Sequence, residues 1–564
     1  MLNSLEVRVL SSLAKCFPDE HPAGKEEQRY FPVFRGQTLA FQIAYRTEEP
    51  ISDVPFLLRP VPEGALAPYV SFGQVESIPS LYPVDPTNYD ENYLRTEPGL
   101  YPDPIRPLYY RGCALLYPRQ ICTLWVAVKC PEDLPAGEYP LTIRLVTEEK
   151  KETLAGVDVT VALSGLRLPE QRTYHTEWLY TDCLAERYHA PVWSERHWEI
   201  VGNYIRTAAE NGVNMILTPV ITPELDTYVG GERLTTQLVD ITVQTAGGYV
   251  FSFEKLDRWI KLCTEAGIKY FEFPHFFTQW GAKNAPKIVA QVNGCVRRIF
   301  GWETDALGAD YAAFLGAFLP ALAEHLKRRG IAERCWFHIS DEPKPGQLER
   351  YRQCRDLVAP YLDGCHLMDA LSDYAFAEKG IVSNPVVSVQ HLQPFLDAGT
   401  SPLWCYYSGA HGCRAYTGRY LSMPLARTRI IGVQMYMADI SGFLHWGYNF
   451  WHTKYSYDTV DPFLSGDCGG FNPSGDCFLV YPGEDGTAME SLRLHAMRGA
   501  MEDIRMLELY ESRFGRKRTK AMLLELAGGV LNFREYPQEE HFFQKLTARV
   551  MADCTEKRPI SVKR

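Results

Sequence analysis

The residues best placed to do chemistry are Asp341 and Glu342, which close the run Cys335-Trp336-Phe337-His338-Ile339-Ser340 and precede Pro343. An apolar, aromatic run of this kind reads as a buried strand. Charge without a partner is costly inside a core, so two acids at the tip of such a strand mark a rim open to solvent. Adjacent carboxylates push their pKa values apart, which suits one to give and take protons while the other stabilises charge. Glu342 is the candidate acid/base and Asp341 its electrostatic companion. The plainer alternative is that Asp341 caps the next helix and Glu342 pairs with Lys344.

The elements that must position this pair are legible as strand and helix in alternation. Strand-like runs start near Tyr174, Asn214, Lys269, Trp336, His366, Val386, Pro402 and Ser441, with helices expected over 194–211, 253–266, 309–329 and 424–437. Ser194 is a good N-cap, and Gly212, Gly267 and Gly330 supply helix stops. Eight such repeats over about 275 residues are the count and length of a (β/α)8 barrel. Barrels of this class carry their chemistry at the C-terminal ends of the strands. His275, Gln279 and Trp280 follow the third strand, Asp226 the second, Tyr407 the seventh and Trp446 the eighth. Acids among Trp, Tyr and amides outline a sugar site, since rings stack on the apolar faces of a pyranose while polar groups hold its hydroxyls. Tyr407, Trp446, His275, Gln279, Trp280 and Asp226 are therefore the candidate substrate-binding residues. Asp226 with Arg233 reads equally as a structural loop pair.

Residues 1–168 are expected to form a β-sandwich, from short alternating runs such as Thr38–Tyr45 and Thr123–Val128 punctuated by Pro and Gly. The loop from Tyr82 to Tyr110 has no period and is expected to drape over the neighbouring unit. The barrel spans 169–450, and 451–564 reads as a small α+β appendage packed on it. Altogether the chain is expected to be a multidomain α/β protein.

A net charge of −11 without a basic block argues against nucleic acid as a partner. No run of 18 apolar residues is present, which argues against a membrane span. Fifteen dispersed cysteines, without any C-x-x-C and behind an N-terminus that lacks a signal pattern, suggest a cytoplasmic protein with reduced thiols. No phosphate loop or nucleophile elbow occurs. His338 lacks a third metal ligand at useful spacing, and His175 with Glu177 reads as a satisfied rim pair. No metal or other cofactor is expected.

One absence narrows the chemistry. Retaining glycosidases on this barrel commonly pair a strand-four acid with a strand-seven carboxylate nucleophile, yet no Asp or Glu occurs from Ala398 to Ala438. Substrate assistance, in which a 2-acetamido oxygen attacks the anomeric carbon, needs no such nucleophile. It needs an acid for the leaving oxygen and a carboxylate for the acetamide nitrogen, and Glu342 and Asp341 can supply both.

The segment His338-Ile339-Ser340-Asp341-Glu342-Pro343 resembles the signature of glycoside hydrolase family 123, the β-N-acetylgalactosaminidases. Asn214–Pro219, Gln279–Lys283, Gly442–Asn449 and Tyr481–Gly483 add to the resemblance, which covers most of the chain after residue 170. It implies an exo-acting retaining enzyme for a terminal β-linked N-acetylhexosamine glycan, with Asp341 polarising the acetamide and Glu342 as acid/base. Two rivals stand beside it. One is a hydrolase of another glycoside with Glu177 or Glu272 as nucleophile, and the other is a carbohydrate-binding barrel without catalysis.

Overall fold

The computed structural model describes residues 5–50, 56–108, 111–149, 151–409 and 413–556. The protein is a multidomain α/β structure built around a nearly closed, nine-strand parallel barrel. Its strand order starts at His366–Leu367 and passes through Cys335–Phe337, Tyr270–Phe273, Met215–Leu217 and Tyr174–Glu177. It continues through Gly442–His445, Trp404–Tyr406 and Pro385–Ser388 to Asp369–Leu371. The first and last of these strands are neighbours in the chain, separated by Met368 alone. The strands are only two to four residues long and almost wholly buried. Sheets covered on both faces are apolar throughout, which is why runs such as Met215-Ile216-Leu217 carry no alternation.

Helix Glu195–Glu210 starts where Ser194 accepts from the His197 amide at 3.3 Å, and helix Glu254–Ala266 ends on Gly267 in the left-handed region, φ 102°. Helix Ala309–Arg328 packs nine side chains into the barrel's outer layer, and Pro320 lies inside it. The expected helix over 424–437 is two shorter ones, Leu425–Arg429 and Ile431–Met437.

One sheet was not anticipated from sequence. Asp240–Val243, Tyr249–Ser252, Ile288–Val292 and Cys295–Phe300 form a separate four-stranded sheet beside the barrel. Its second hairpin turns at Asn293-Gly294, both at positive φ, the residue pair that a two-residue hairpin favours.

Before the barrel, two five-stranded sheets share one core, to which Phe41, Ile43 and Val126 come from one sheet and Leu141, Val159 and Val161 from the other. Part of the stretch expected to be irregular, Gly99–Pro107, is the edge strand of the first sheet. The rest crosses to the barrel. Ser422 Oγ donates to the Pro83 carbonyl at 2.6 Å, and Arg427, fully buried, forms an ion pair with Asp90 at 2.7 Å. Tyr109 and Tyr110 lie outside the described residues.

A helical layer, Leu492–Phe514, Arg516–Leu526 and His541–Glu556, fills the angle between the barrel and the N-terminal sheets. Its anchor is Arg493. This guanidinium is fully buried, binds both carboxylate oxygens of Asp103 at 2.8 and 3.0 Å, and donates to the Phe478 carbonyl at 2.8 Å. Lys15, equally buried, donates to the carbonyls of Leu421 and Met423 at 2.7 and 2.9 Å. Among the described residues no helix is long and apolar enough to cross a membrane.

Candidate active site

A cavity opens at the C-terminal ends of the barrel strands. Asp341, Glu342, Asp226, Gln279, Trp280 and Trp446 all line it, so six of the eight residues singled out from sequence meet in one place. The pair sits on a bend after strand Cys335–Phe337. Glu342 takes a left-handed φ of 40°, and its amide donates to the Ala370 carbonyl on the neighbouring strand. A non-glycine residue in that region is strained, and such strain gathers at functional sites. Neither acid caps the helices that follow, whose N-caps are Lys344 and Gln347.

The Tyr406 hydroxyl donates a short hydrogen bond to Glu342 Oε1. Burial, and next the charge of Glu342, push the Asp341 carboxyl well above its ordinary range. Burial and a neighbouring like charge both favour the neutral form of the Asp341 carboxyl. Replacing Tyr406 with Phe removes one donor from the acid/base. We expect kcat to fall about tenfold with little change in melting temperature, read from initial rates and thermal unfolding of the same preparation.

Asp226 is the third carboxyl of the cavity. Burial pushes it up to about 7, while Arg233 pulls the other way. Arg233 does not form the loop pair expected with Asp226. Its Nε binds Asp182 at 2.7 Å, and its guanidinium lies over Tyr180 and Phe450. Asp226 instead docks through its backbone: its amide donates to Gln279 Oε1 at 3.0 Å, which leaves the buried Gln279 Nε2 without a protein partner and available to a ligand hydroxyl.

Two sequence candidates lie elsewhere. Tyr407 is buried away from the cavity, with its hydroxyl 3.2 Å from Met497 Sδ and its ring against Phe443 and His445. Successive side chains at a strand end face opposite sides, so Tyr406 takes the place given to its neighbour. His275 sits below the cavity floor, its ring 4.4 Å from that of His338. Burial drives it well below the ordinary histidine range, and neither nitrogen has a hydrogen-bond partner.

Beneath the acid pair, His338 bridges two buried carboxylates, with Nε2 at 2.7 Å from Glu272 and Nδ1 at 3.1 Å from Asp369. Burial alone would lower its pKa, but the hydrogen bonds it donates to Asp369 and Glu272 outweigh that and hold the pKa up to about 10. Asp369 also accepts the Ile339 amide and the Tyr351 hydroxyl, so this clamp fixes the backbone just ahead of Asp341. His275, His338 and Asp369 place one ligand atom each within 4.8 Å of one another, a grouping of metal-ligand type that spacing along the chain did not reveal because its members come from adjacent strands. Both nitrogens of His338 are engaged by the carboxylates, which does not favour a metal there.

Neither rival nucleophile is accessible. Glu272 is fully buried and accepts from Thr176, from Trp178 Nε1 at 2.6 Å and from His338. Glu177 is fully buried against Arg419, whose Nη1 lies 2.9 and 3.1 Å from its two oxygens, with His175 Nε2 3.4 Å away.

Sequence reasoning missed Trp178 and Tyr180 after the first strand, Tyr406 and Ser408 at the seventh, and Tyr455, Phe471 and Asn472 beyond residue 450, all of which line the cavity. The first four sit at strand ends, where the rim rule applied. The last three lie in an aperiodic stretch with no local sign of their role.

The barrel and its rim of acids and aromatic rings are those of a glycoside hydrolase. The sequence matches the description "Glycoside hydrolase 123, catalytic domain" over residues 178–510. The chain belongs to glycoside hydrolase family 123. Its fold is that of a family 123 glycoside hydrolase from Clostridium perfringens, described in connection with glycolipid glycan hydrolysis; the two share 15% identity at a TM-score of 0.71, with 98% of each chain covered. A β-glucuronidase of Bacteroides uniformis is more distant, at 10% identity and a TM-score of 0.30, with 92% of this chain and 50% of that one covered. No curated protein matches the sequence.

Proposed function

We propose that this glycoside hydrolase is an exo-acting, retaining β-N-acetylhexosaminidase for terminal β-N-acetylgalactosamine, working through the substrate's own 2-acetamido group. The observation that carries the reading is the adjacent pair Asp341–Glu342 in a cavity whose other carboxyl, Asp226, is raised by burial to about 7 and so is only partly ionised near neutral pH. Glu342 protonates the glycosidic oxygen while Asp341 accepts the acetamide N–H and stabilises the positive charge that grows as the acetamide oxygen closes on the anomeric carbon. That hydrogen bond favours the ionised form of Asp341. Water, deprotonated by Glu342, then opens the cyclic intermediate with net retention. Trp446 and Trp178 offer rings for the sugar's apolar faces, and Gln279 Nε2 and Asp226 offer polar groups for its hydroxyls.

We read the architecture as a (β/α)8 barrel over 169–450, counting the strands on either side of Met368 as one. A β-sandwich precedes it over 1–168, and a C-terminal unit over 451–564 lends Tyr455, Phe471 and Asn472 to the site. All fifteen cysteines are free, thirteen of them buried, which supports a cytoplasmic setting.

The test is hydrolysis of an aryl β-N-acetylgalactosaminide beside its gluco isomer and the plain β-galactoside. Cleavage of the acetamido sugars alone, inhibited by a thiazoline analogue of the cyclised intermediate, is the expected result. Cleavage of the plain galactoside would overturn substrate assistance and turn attention to Asp226.

A further inference from the structure

A second cleft, of about 430 Å³, opens between the N-terminal sheets, the barrel and the helical layer. Arg35 ends the strand Tyr30–Arg35, and Leu168, Glu170 and Gln171 lead into the first barrel strand. Ala209 and Glu210 end the helix that precedes the second barrel strand, and Arg505 stands on helix Leu492–Phe514. Segments that feed the starts of barrel strands lie at the face opposite the acid pair. The cleft is therefore separate from the active site.

Elsewhere in this protein a buried guanidinium has its own carboxylate. Arg233, Arg419, Arg427 and Arg493 are buried, and each lies 2.7 to 2.9 Å from an Asp or Glu. Arg35 and Arg505, both half-buried, depart from this rule and share the cleft. Among the described residues neither pairs with a carboxylate. Arg35 Nε is buried without a hydrogen-bond partner, and Arg505 Nε donates to the Pro169 carbonyl at 2.7 Å. Burial holds the Arg505 guanidinium below its ordinary range, as expected of a cation taken from water without full compensation. The acids of the cleft are committed to other cations. Glu132 lies 3.0 Å from Arg167, Glu502 lies 3.1 Å from Arg498, and Glu170 pairs with Lys269. Glu210 is exposed to solvent. Two guanidiniums are thus left over in a chain whose net charge is −11.

We propose that this cleft binds a phosphate monoester of about monosaccharide size, with Arg35 and Arg505 gripping the phosphate. The planar fork of a guanidinium matches two phosphate oxygens, and two such cations balance the charge of about −2 on a phosphate monoester. The volume exceeds what a bare inorganic anion fills and lies in the range of small-molecule sites. The helix end beside the cleft does not oppose an anion, because Gln171 Nε2 takes up the Gly212 carbonyl at 2.9 Å. A phosphate held this way ties the N-terminal sheet to the C-terminal helical layer, so its binding stabilises the whole chain. The site is independent of the reaction at the other end of the barrel.

Glucose 6-phosphate is the probe, titrated calorimetrically into the full-length protein at fixed ionic strength. It is expected to bind at neutral pH, and about tenfold more weakly in Arg35→Gln and in Arg505→Gln taken singly. Free glucose is expected not to bind. Lowering the pH to about 5, which leaves the ester singly charged, is expected to weaken binding severalfold. Arg35 has no carboxylate partner to lose, so without ligand Arg35→Gln is expected to melt no lower than the wild type. That variant alone decides the matter should Arg505→Gln fold poorly. No binding by the wild type, or equal affinity in wild type and Arg35→Gln, would overturn the site. Inorganic phosphate bound as tightly as the ester would overturn the sugar-sized ligand. Glucose 6-sulfate bound as tightly as the phosphate would overturn the assignment to a dianion.

Discussion

Replacing Glu342 with Gln is expected to lower kcat/KM by about three orders of magnitude for glycosides with poor leaving groups, within the usual span of a lost general acid. A dinitrophenyl glycoside, whose leaving group needs little protonation, should keep far more of its rate in the first step and instead accumulate the cyclised intermediate. Asp341→Asn is expected to behave differently. It damages ring closure itself, so good and poor leaving groups lose rate alike. Leaving-group dependence thus separates the two acids although they are neighbours in sequence. Removing one member of a buried, mutually repelling pair should leave the melting temperature unchanged or raise it. Normal turnover in both variants would defeat the assignment. Steady-state kinetics on three aryl glycosides of graded leaving-group pKa, with thermal unfolding beside them, decide the matter.

The second large effect concerns His338, which lies beneath the chemistry. His338→Gln keeps much of the volume but leaves Glu272 and Asp369 buried without their shared cation. Breaking a buried ion pair from one side costs about 3–5 kcal/mol, so the midpoint of denaturant unfolding should drop accordingly. The pH dependence carries the sign. The folded pKa, about 10, exceeds the unfolded value near 6.5, so the contribution is whole below pH 6.5 and is lost as pH rises toward 10. Wild-type stability should therefore decline across that window more steeply than that of the variant. Parallel unfolding curves at pH 6, 8 and 10 measure this, and identical slopes for the two proteins would refute the clamp.

How far the sequence revealed these features depended on whether a signal was local. The acid pair, the helix caps at Ser194 and Gly267 and the apolar strands are written in adjacent residues, and the structure places them as expected. Tyr407 was chosen over Tyr406 because composition shows two tyrosines at a strand end while the side facing the cavity depends on register. His275, two residues beyond Phe273, looked like a rim residue, but its ring packs against His338. The His275, His338 and Asp369 grouping, the arginine that neutralises Glu177 and the cleft shared by Arg35 and Arg505 all join residues tens to hundreds of positions apart. Spacing along one chain cannot show them. The Asn293-Gly294 hairpin is a different case, a strong local signal passed over because the barrel pattern around it suggested only strand and helix.

Arg493 bears on how far this protein can be divided. Its guanidinium reaches the N-terminal sheet at Asp103 and also holds the Phe478 carbonyl, a few residues from Phe471 and Asn472 in the cavity wall. A barrel cut free of the first 168 residues would carry that cation into its interior with no counter-ion, and the segment it braces would lose its support. The N-terminal sheets are therefore expected to be needed for the stability of the barrel, and their deletion should abolish its cooperative thermal transition.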